Sequence, residues 1–475
     1  MRFALLAIAA AGSLNAFDSA ALLKSVDGYA ARYGEVSQQI WSYAELGFRE
    51  EKSSALLQRD LREAGFAVTA GVAGMPTAFV GTFGQGKPVI AILAEFDALP
   101  GLSQDVASVR KPVQQNAPGH GCGHNLLGAG AAMAGRAVKD YLVANQVAGT
   151  IRVYGTPAEE GGSGKVYMIR AGLFRDVDTV LHWHPGTQNF VTNGGALANV
   201  HAKFKFTGRA SHAAVAPERG RSALDAVMLS GVAVEMLREH TPANARVHYI
   251  INNGGAAPNV VPETAELDLY ARHPSQPILE TIWPRILKCA QGAALATETT
   301  HEVSIIGATS SILSNDVLAR MMEKNLRQVG GITYTPEERS FAEALAKTFP
   351  EGSAGQMGSE RDIQPIRRSD PNAASASTDA GDVTWVVPTI GVTIATAVPG
   401  TPGHSWQNTA CAGSSIGRKG MVNAAKVLAL TALDLFTEPG VLAEVRADFD
   451  KQRAGREYRS LIPEGNKPPL TFRND

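Results

Sequence analysis

Apolar and polar positions change period along the chain, and the changes mark out its parts. PVIAILAEF (88–96) is a near-continuous apolar run, as a parallel strand buried on both faces requires. The Ala- and Leu-rich stretch from Leu126 to Leu142 predicts a helix. TIRVYGTP (150–157) and DTVLHWHP (178–185) predict two more strands, with a helix between them around 164–174. Strand and helix alternating in this order predict an α/β sheet covered by helices on its faces.

Between about 198 and 308 the period shifts. In NVHAKFKFTG, Val200, Ala202, Phe204 and Phe206 fall on one face of a strand. A helix at 221–239, strands at 245–252 and 263–271, a helix at about 277–297 and a strand at 301–307 complete a βαββαβ unit. Such a unit has two layers and one open sheet face. The α/β pattern resumes after it, so the unit is an insertion: 17–197 and 309–475 form one domain in two parts, and 198–308 a second. The polar, Ser-, Pro- and Ala-rich stretch from about 338 to 380 predicts a long functional or mobile loop.

MRFALLAIAAAGSLNAFDSA opens the chain with one positive charge, an apolar run and small residues. It reads as a cleavable signal peptide, 1–16, cut after Ala16, and predicts a periplasmic or secreted protein. No later apolar run reads as long enough to span a bilayer.

At 475 residues the chain exceeds one simple core, which agrees with two domains. Hydrophobic residues at 44% and charged residues at 19% describe an ordinary globular protein. A formal net charge of −1 gives no pull toward nucleic acid or an anionic membrane, so the expected partner is a small molecule. Three distant cysteines make no disulfide framework; Cys289 and Cys411 read as buried small hydrophobes.

Cys122 is different. It stands in APGHGCGHNLLGAG between His120 and His124, as a reactive thiol, half of a structural zinc site or one corner of a catalytic metal centre would. In parallel α/β sheets ligands bind at the carboxyl ends of strands. Glu95 and Asp97 in AEFDALP, Glu159 and Glu160 in TPAEEGGSG, and His182 and His184 in LHWHPG all follow predicted strands. Together with GHGCGHN they form a Cys/His/Glu/Asp set drawn from four loops, which is how a metal site is assembled. Adjacent carboxylates suit a hydrolytic metal: one coordinates while the other takes a proton from water.

The motifs WSYAELGFREEKS, LAEFDALPG, GHGCGHNLLGAGAA, GTPAEEGGSGK, FTGRASHAAVAPERGRSALDAV, NVVPETAELDLYAR and GHSWQNTACAGSSIG occur in a telling order. Over residues 25 to 435 the chain resembles the dinuclear zinc metallopeptidase family of aminoacylases, glutamate carboxypeptidases and amino-acid-conjugate hydrolases. Cys-Gly-His marks its amidohydrolase branch. The resemblance implies a catalytic domain with a mostly parallel sheet flanked by helices, and an inserted βαββαβ lid and dimerisation domain. It implies two divalent metal ions per subunit, Zn²⁺ or Mn²⁺. Their ligands would be Cys122, His124, Glu160, His184 and His404, with His182 kept as the alternative to His184. Glu159 would be the general base and Asp97 the acid that orients a ligand histidine. His120 has no assigned role.

The same resemblance makes His212 a donor that reaches across a homodimer to the oxyanion, and Asn259 and Arg272 substrate-holding residues. A guanidinium suits an amino-acid carboxylate. A second subunit type is a further possible partner. The implied activity is cleavage of an amide next to a free carboxylate, as in an N-acyl amino acid, with a dipeptidase as the alternative. A non-catalytic metal-dependent binding protein is the alternative of another kind. The acyl pocket is expected in the loops 103–118 and 338–380.

Overall fold

Apolar strands that need cover on both faces organise the larger part of the molecule. The computed structural model describes residues 18–368, 370 and 376–473, and the leader expected at 1–16 lies outside them. The chain begins with α1 (Ser19–Tyr43), whose first turn is capped by the Asp18 carboxylate accepting from Ala21 N at 3.0 Å, and α2 (Glu51–Glu63). Then come β1 (Ala67–Ala70), β2 (Phe79–Gln85), β3 (Val89–Ala94), α3 (His124–Ala144), β4 (Gly149–Gly155), α4 (Gly164–Arg170), β5 (Thr179–Gly186) and β6 (Phe190–Asn193).

The second sheet follows: β7 (Ala198–Thr207), α5 (Ala223–Arg238), β8 (Arg246–Asn253), β9 (Thr264–His273), α6 (Gln276–Thr297) and β10 (Thr300–Thr309). The chain then returns through α7 (Asp316–Val329), α8 (Pro336–Ala346), β11 (Arg367–Arg368), α9 (Ala380–Thr384), β12 (Thr389–Ala395), α10 (Trp406–Gly413), α11 (Ser415–Thr437) and α12 (Val441–Arg453).

The large sheet has the order β1-β2-β4-β3-β5-β12-β6-β11, and its central strands β4, β3, β5 and β12 are parallel. Every residue of β3 is buried, as its unbroken apolar run requires. One helix, α3, lies close against the sheet because its facing residues are small. A Cβ added at Gly135 would meet Val153 Cγ2 at 2.4 Å, and Trp183 Nε1 donates to Leu127 O at 3.1 Å. The carboxyl ends of the parallel strands therefore open on one side of the sheet, where β3 sends its connections to neighbours on either hand.

The small sheet, β10-β7-β9-β8, is antiparallel throughout and has the expected βαββαβ connectivity. Val200, Ala202, Phe204 and Phe206 are buried on one face, against α5 and α6. Burial of side chains this size stabilises by roughly 1.5–3 kcal/mol each.

Two expectations need correction. Residues 338–380 are not one loop: α8 occupies its start, held by a capping box in which Glu338 N donates to Thr335 Oγ1 and Thr335 N to the Glu338 carboxylate. The second concerns apolar length. At 23 residues α11 is long and apolar enough to cross a membrane, but 72% of its apolar window is buried inside the protein. It is the central helix behind the sheet, packed on α1, α3 and α7, and its hydrophobicity is spent on that core.

Candidate metal centre

Each strand end contributes a side chain to one cavity of about 800 Å³ between the large sheet and the small one. Glu95 and Asp97 follow β3, and Glu159 and Glu160 follow β4. His184 lies near the end of β5, while His404 comes from the loop after β12. His124 is the first residue of α3, with Gly123 at φ 81° turning the chain into the helix. Ala158 and His404 also hold positive φ, 56° and 49°, the kind of backbone strain that functional loops retain.

Two three-donor sets share one sulfur. Cys122, His124 and His184 have ligand atoms within 4.8 Å of one another, and so do Cys122, Glu160 and His404. The Sγ of Cys122 is 3.4 Å from His184 Nε2, and His404 Nε2 is 3.4 Å from Glu160 Oε1. A third set, Glu95, His124 and Glu159, adjoins the first.

The hydrogen bonds around these groups aim their lone pairs inward. His124 Nδ1 bonds Asp97 Oδ1 at 2.9 Å, and Asp97 Oδ2 accepts from Glu160 N at 2.8 Å. The buried His124 Nε2 is left without a hydrogen-bond partner. His184 Nδ1 donates to Pro185 O at 2.7 Å, so its Nε2 also faces the sulfur unprotonated. Glu160 Oε1 and Glu95 Oε2 are likewise buried and unpartnered. A carboxylate behind an imidazole and an open nitrogen in front of it is the arrangement of a metal-ligating histidine.

Electrostatics demand cations here. Burial pushes the Cys122 thiol up, and burial with the neighbouring carboxylates Glu95 and Glu160 pushes Glu159 far above its ordinary range. Burial also raises Glu160. Bound divalent cations reverse that logic by stabilising thiolate and carboxylate. The mixture of sulfur, imidazole and carboxylate donors fits two such ions, with a thiolate favouring a borderline ion such as Zn²⁺.

His184 falls within a donor set; His182 does not. Two residues back on the same strand, His182 lines the cavity with its ring against Gly391, where any Cβ would meet the imidazole at 2.3 Å. Burial holds His182 down at about 4, so it stays neutral. His120 is buried elsewhere, its Nε2 bonding Ile40 O at 3.0 Å, and ties the loop to α1.

Arg272 lines the cavity with its guanidinium 4.7 Å over the Tyr270 ring. The chain's own His212 and Asn259 stand outside it. They are neighbours on the exposed end of the small-sheet unit, where Ala213 N donates to Asn259 O and His212 bridges Val260. Nor do residues 103–118 line the cavity. That segment is folded on itself, with Ser103 N bonded to Ala117 O, Asp105 N to Lys111 O, and Lys111 paired with Asp105 at 2.8 Å. The expected contribution from 338–380 comes from its far end, through Arg367, Arg368, Asp370 and residues 376–378.

Sequence reasoning missed one part of the site. Lys165, fully buried at the start of α4, is 2.8 Å from Glu95 and 2.5 Å from Asp379. Against burial, which favours the neutral amine, Asp379 and Glu95 hold Lys165 well above its ordinary range. Lys165 thus turns one Glu95 oxygen away from the donor sets. A lysine right after GGSG carries no periodicity to distinguish it, and Asp379 is 214 residues away.

Comparison with known proteins agrees with this geometry. The model of the peptidase family M20/M25/M40 matches residues 91–350. The chain is 41% identical to one of the two subunits of the p-aminobenzoyl-glutamate hydrolase of Escherichia coli K12, covering 92% of this chain and 96% of that protein. It is 32% identical to a Xaa-Arg dipeptidase of Mus musculus, covering 89% and 90%. Among solved structures, a dinuclear metal binding peptidase of the M20 family from Bacillus subtilis shares the fold, with a TM-score of 0.57 at 17% identity over 86% of this chain and 99% of that one.

Proposed function

The chain belongs to the peptidase family M20/M25/M40 and is a hydrolase acting on amide bonds, and from that premise we propose that it cleaves an amide next to a free carboxylate with two divalent cations bound. The substrates in this reading are N-acyl amino acids or aminobenzoyl-glutamate-like conjugates. The observation that carries it is the pair of donor sets sharing Cys122, with Glu159 beside them and unpartnered lone pairs turned inward.

Held by Cys122, His124, His184, Glu160 and His404, the cations would polarise the scissile carbonyl and acidify a water. Asp97 keeps the His124 ring turned toward them. Glu159 takes the proton of the attacking water and hands it to the leaving amine nitrogen. Arg272 holds the substrate carboxylate by a charge-assisted pair. His212, exposed and outside its own chain's cavity, acts from a second copy, where a donor to the developing oxyanion is needed. Asn259, beside His212, works with it in the same way, and closure of the inserted domain completes the site.

A homodimer is therefore part of the proposal. Its support is an apolar stripe on the inserted domain: Met228, Leu229, Val232 and Met236 on the outer face of α5 are 40–60% exposed. Ile250 and Ile251 on the edge strand β8 add to it. Exposed apolar patches of this kind mark interaction surfaces. The Escherichia coli hydrolase is named as two different subunits, both similar to this chain, which supports a second subunit type as a further partner. The leader-like composition of residues 1–16 supports export of a mature chain beginning at Phe17, which mass spectrometry of the protein from its host would test.

The decisive experiment is release of free amino acid from a panel of aminobenzoyl-glutamate, N-acyl amino acids and dipeptides. The protein is assayed after chelation and again with Zn²⁺ or Mn²⁺ restored. Metal-restored release from one class supports the reading and names the substrates; preference for dipeptides replaces it with the dipeptidase. Tight binding without release under either metal favours the binding-protein alternative.

A further inference from the structure

The cavity does not end at the donor sets. Strand register carries it sideways across the large sheet: His184 pairs with Thr393 of β12, and Thr393 with Phe190 of β6. One row back, His182, Gly391, Thr192 and Arg367 lie in line across β5, β12, β6 and β11. Paired residues share a face, and both rows line the same cavity. Phe190 is thus two strand spacings from His184, about 10 Å along the sheet.

At that distance stands a guanidinium with an unmet charge. Arg367 lies 3.6 Å over the Phe190 ring, and its Nη2 donates to the Gln188 side chain. Among the described residues it has no carboxylate partner. Its neighbours are already satisfied: Arg368 is paired with Asp316 at 2.5 Å, and Asp370 on the same rim has a partner of its own. The Arg368–Asp316 pair also anchors the short strand, which fixes where Arg367 projects. Stacking on an aromatic ring immobilises the planar fork and leaves its edge free for two parallel N–H···O bonds.

We infer that Arg367, stacked on Phe190, is a carboxylate subsite for a second acidic group on the substrate. An α-carboxylate lies next to the scissile amide and cannot reach this row, whereas a side-chain carboxylate several bonds further out does. Deepening the amidohydrolase reading, on which it rests, this makes the preferred substrates N-acyl conjugates of acidic amino acids. Arg272 takes the near carboxylate and Arg367 the far one.

The test compares p-aminobenzoyl-glutamate with its neutral isostere p-aminobenzoyl-glutamine on the wild-type enzyme and on Arg367→Gln and Arg367→Lys. The wild type should prefer the glutamate conjugate by about tenfold or more in kcat/KM, mostly through KM. Arg367→Gln should bring the ratio near one by lowering turnover of the acid and sparing the amide, and Arg367→Lys should restore part of it. A ratio unchanged in Arg367→Gln overturns the subsite. So does a wild type that cleaves other conjugates without preferring the acid.

If the wild type releases amine from nothing, the hydrolase reading has failed, and titration calorimetry with the same pair still decides the subsite. Tighter binding of the acid that disappears in Arg367→Gln upholds it, and equal binding removes it.

Discussion

The sulfur of Cys122 lies 3.4 Å from His184 Nε2 and belongs at the same time to the set formed by Glu160 and His404. One thiolate is thus common to both candidate metal positions. Cys122→Ala should lower the affinity of both ions together, by more than the roughly 10- to 100-fold that losing a ligand's supporting partner costs. Metal content after dialysis, by plasma mass spectrometry, checks this; two tightly held ions per chain would rule it out.

Glu159 is the carboxylate of its pair that stands outside both cysteine-containing sets. Glu159→Gln keeps size and hydrogen bonding but cannot take a proton, so metal content should be unchanged while kcat falls by about 10²–10⁴-fold. Near-normal turnover in this variant would remove Glu159 as the base.

If His212 acts across a dimer, inactive chains should complement each other. Mixing His212→Ala with Glu159→Gln gives heterodimers in which one site has both groups intact, and about a quarter of wild-type activity should return. Charges introduced at Val232 and Met236 should yield monomers and abolish activity together, which sedimentation and the amide assay report. An active monomer would contradict the shared site.

Lys165 compensates two buried carboxylates, Glu95 and Asp379. Lys165→Met should destabilise by about 3–5 kcal/mol, because breaking a buried pair leaves uncompensated charge. Denaturant unfolding of the metal-free protein measures it, and adding Asp379→Asn should recover part of the loss.

Glu50 couples pH to stability. Its carboxylate accepts from Ala158 N at 2.8 Å and Thr77 Oγ1 at 2.9 Å, and burial together with the Asp97 charge pushes its pKa to about 8. A raised pKa means the folded state binds the proton more tightly than the unfolded chain. Stability from this group is therefore present below the ordinary carboxylate range and is lost as pH rises toward 8. In metal-free protein Glu50→Gln should unfold with a weaker pH dependence between about 4.5 and 8 than the wild type. An equally steep dependence in the variant would assign it to another group.

How much of this is legible along the chain depends on the kind of interaction. The strands at 88–96, 150–157 and 178–185 and the βαββαβ unit match their sequence patterns to within a few residues, because burial imposes a period that local sequence records. The 103–118 segment does not, since polar loop composition does not say which way a loop folds. The helix at 336–346 hides in a polar stretch, although Thr335 and Glu338 spell its capping box. For α11, composition alone does not separate a core helix from a membrane span, and only its neighbours show that the apolar surface is core.

Residue type and short-range order carry the family, the amide chemistry, the two-sheet architecture and the inventory of donors at strand ends. The chain holds these directly, so they are read without coordinates. Tertiary structure decided what depends on approach between distant segments. It placed His184, and not His182, in a donor set and made Cys122 common to two of them. It joined Lys165 to Glu95 and Asp379, and it set Arg367 on Phe190 in the row beside the centre. None of those pairings has a period or a spacing along the chain, because each is fixed by the register of strands and loops brought together from far apart in it.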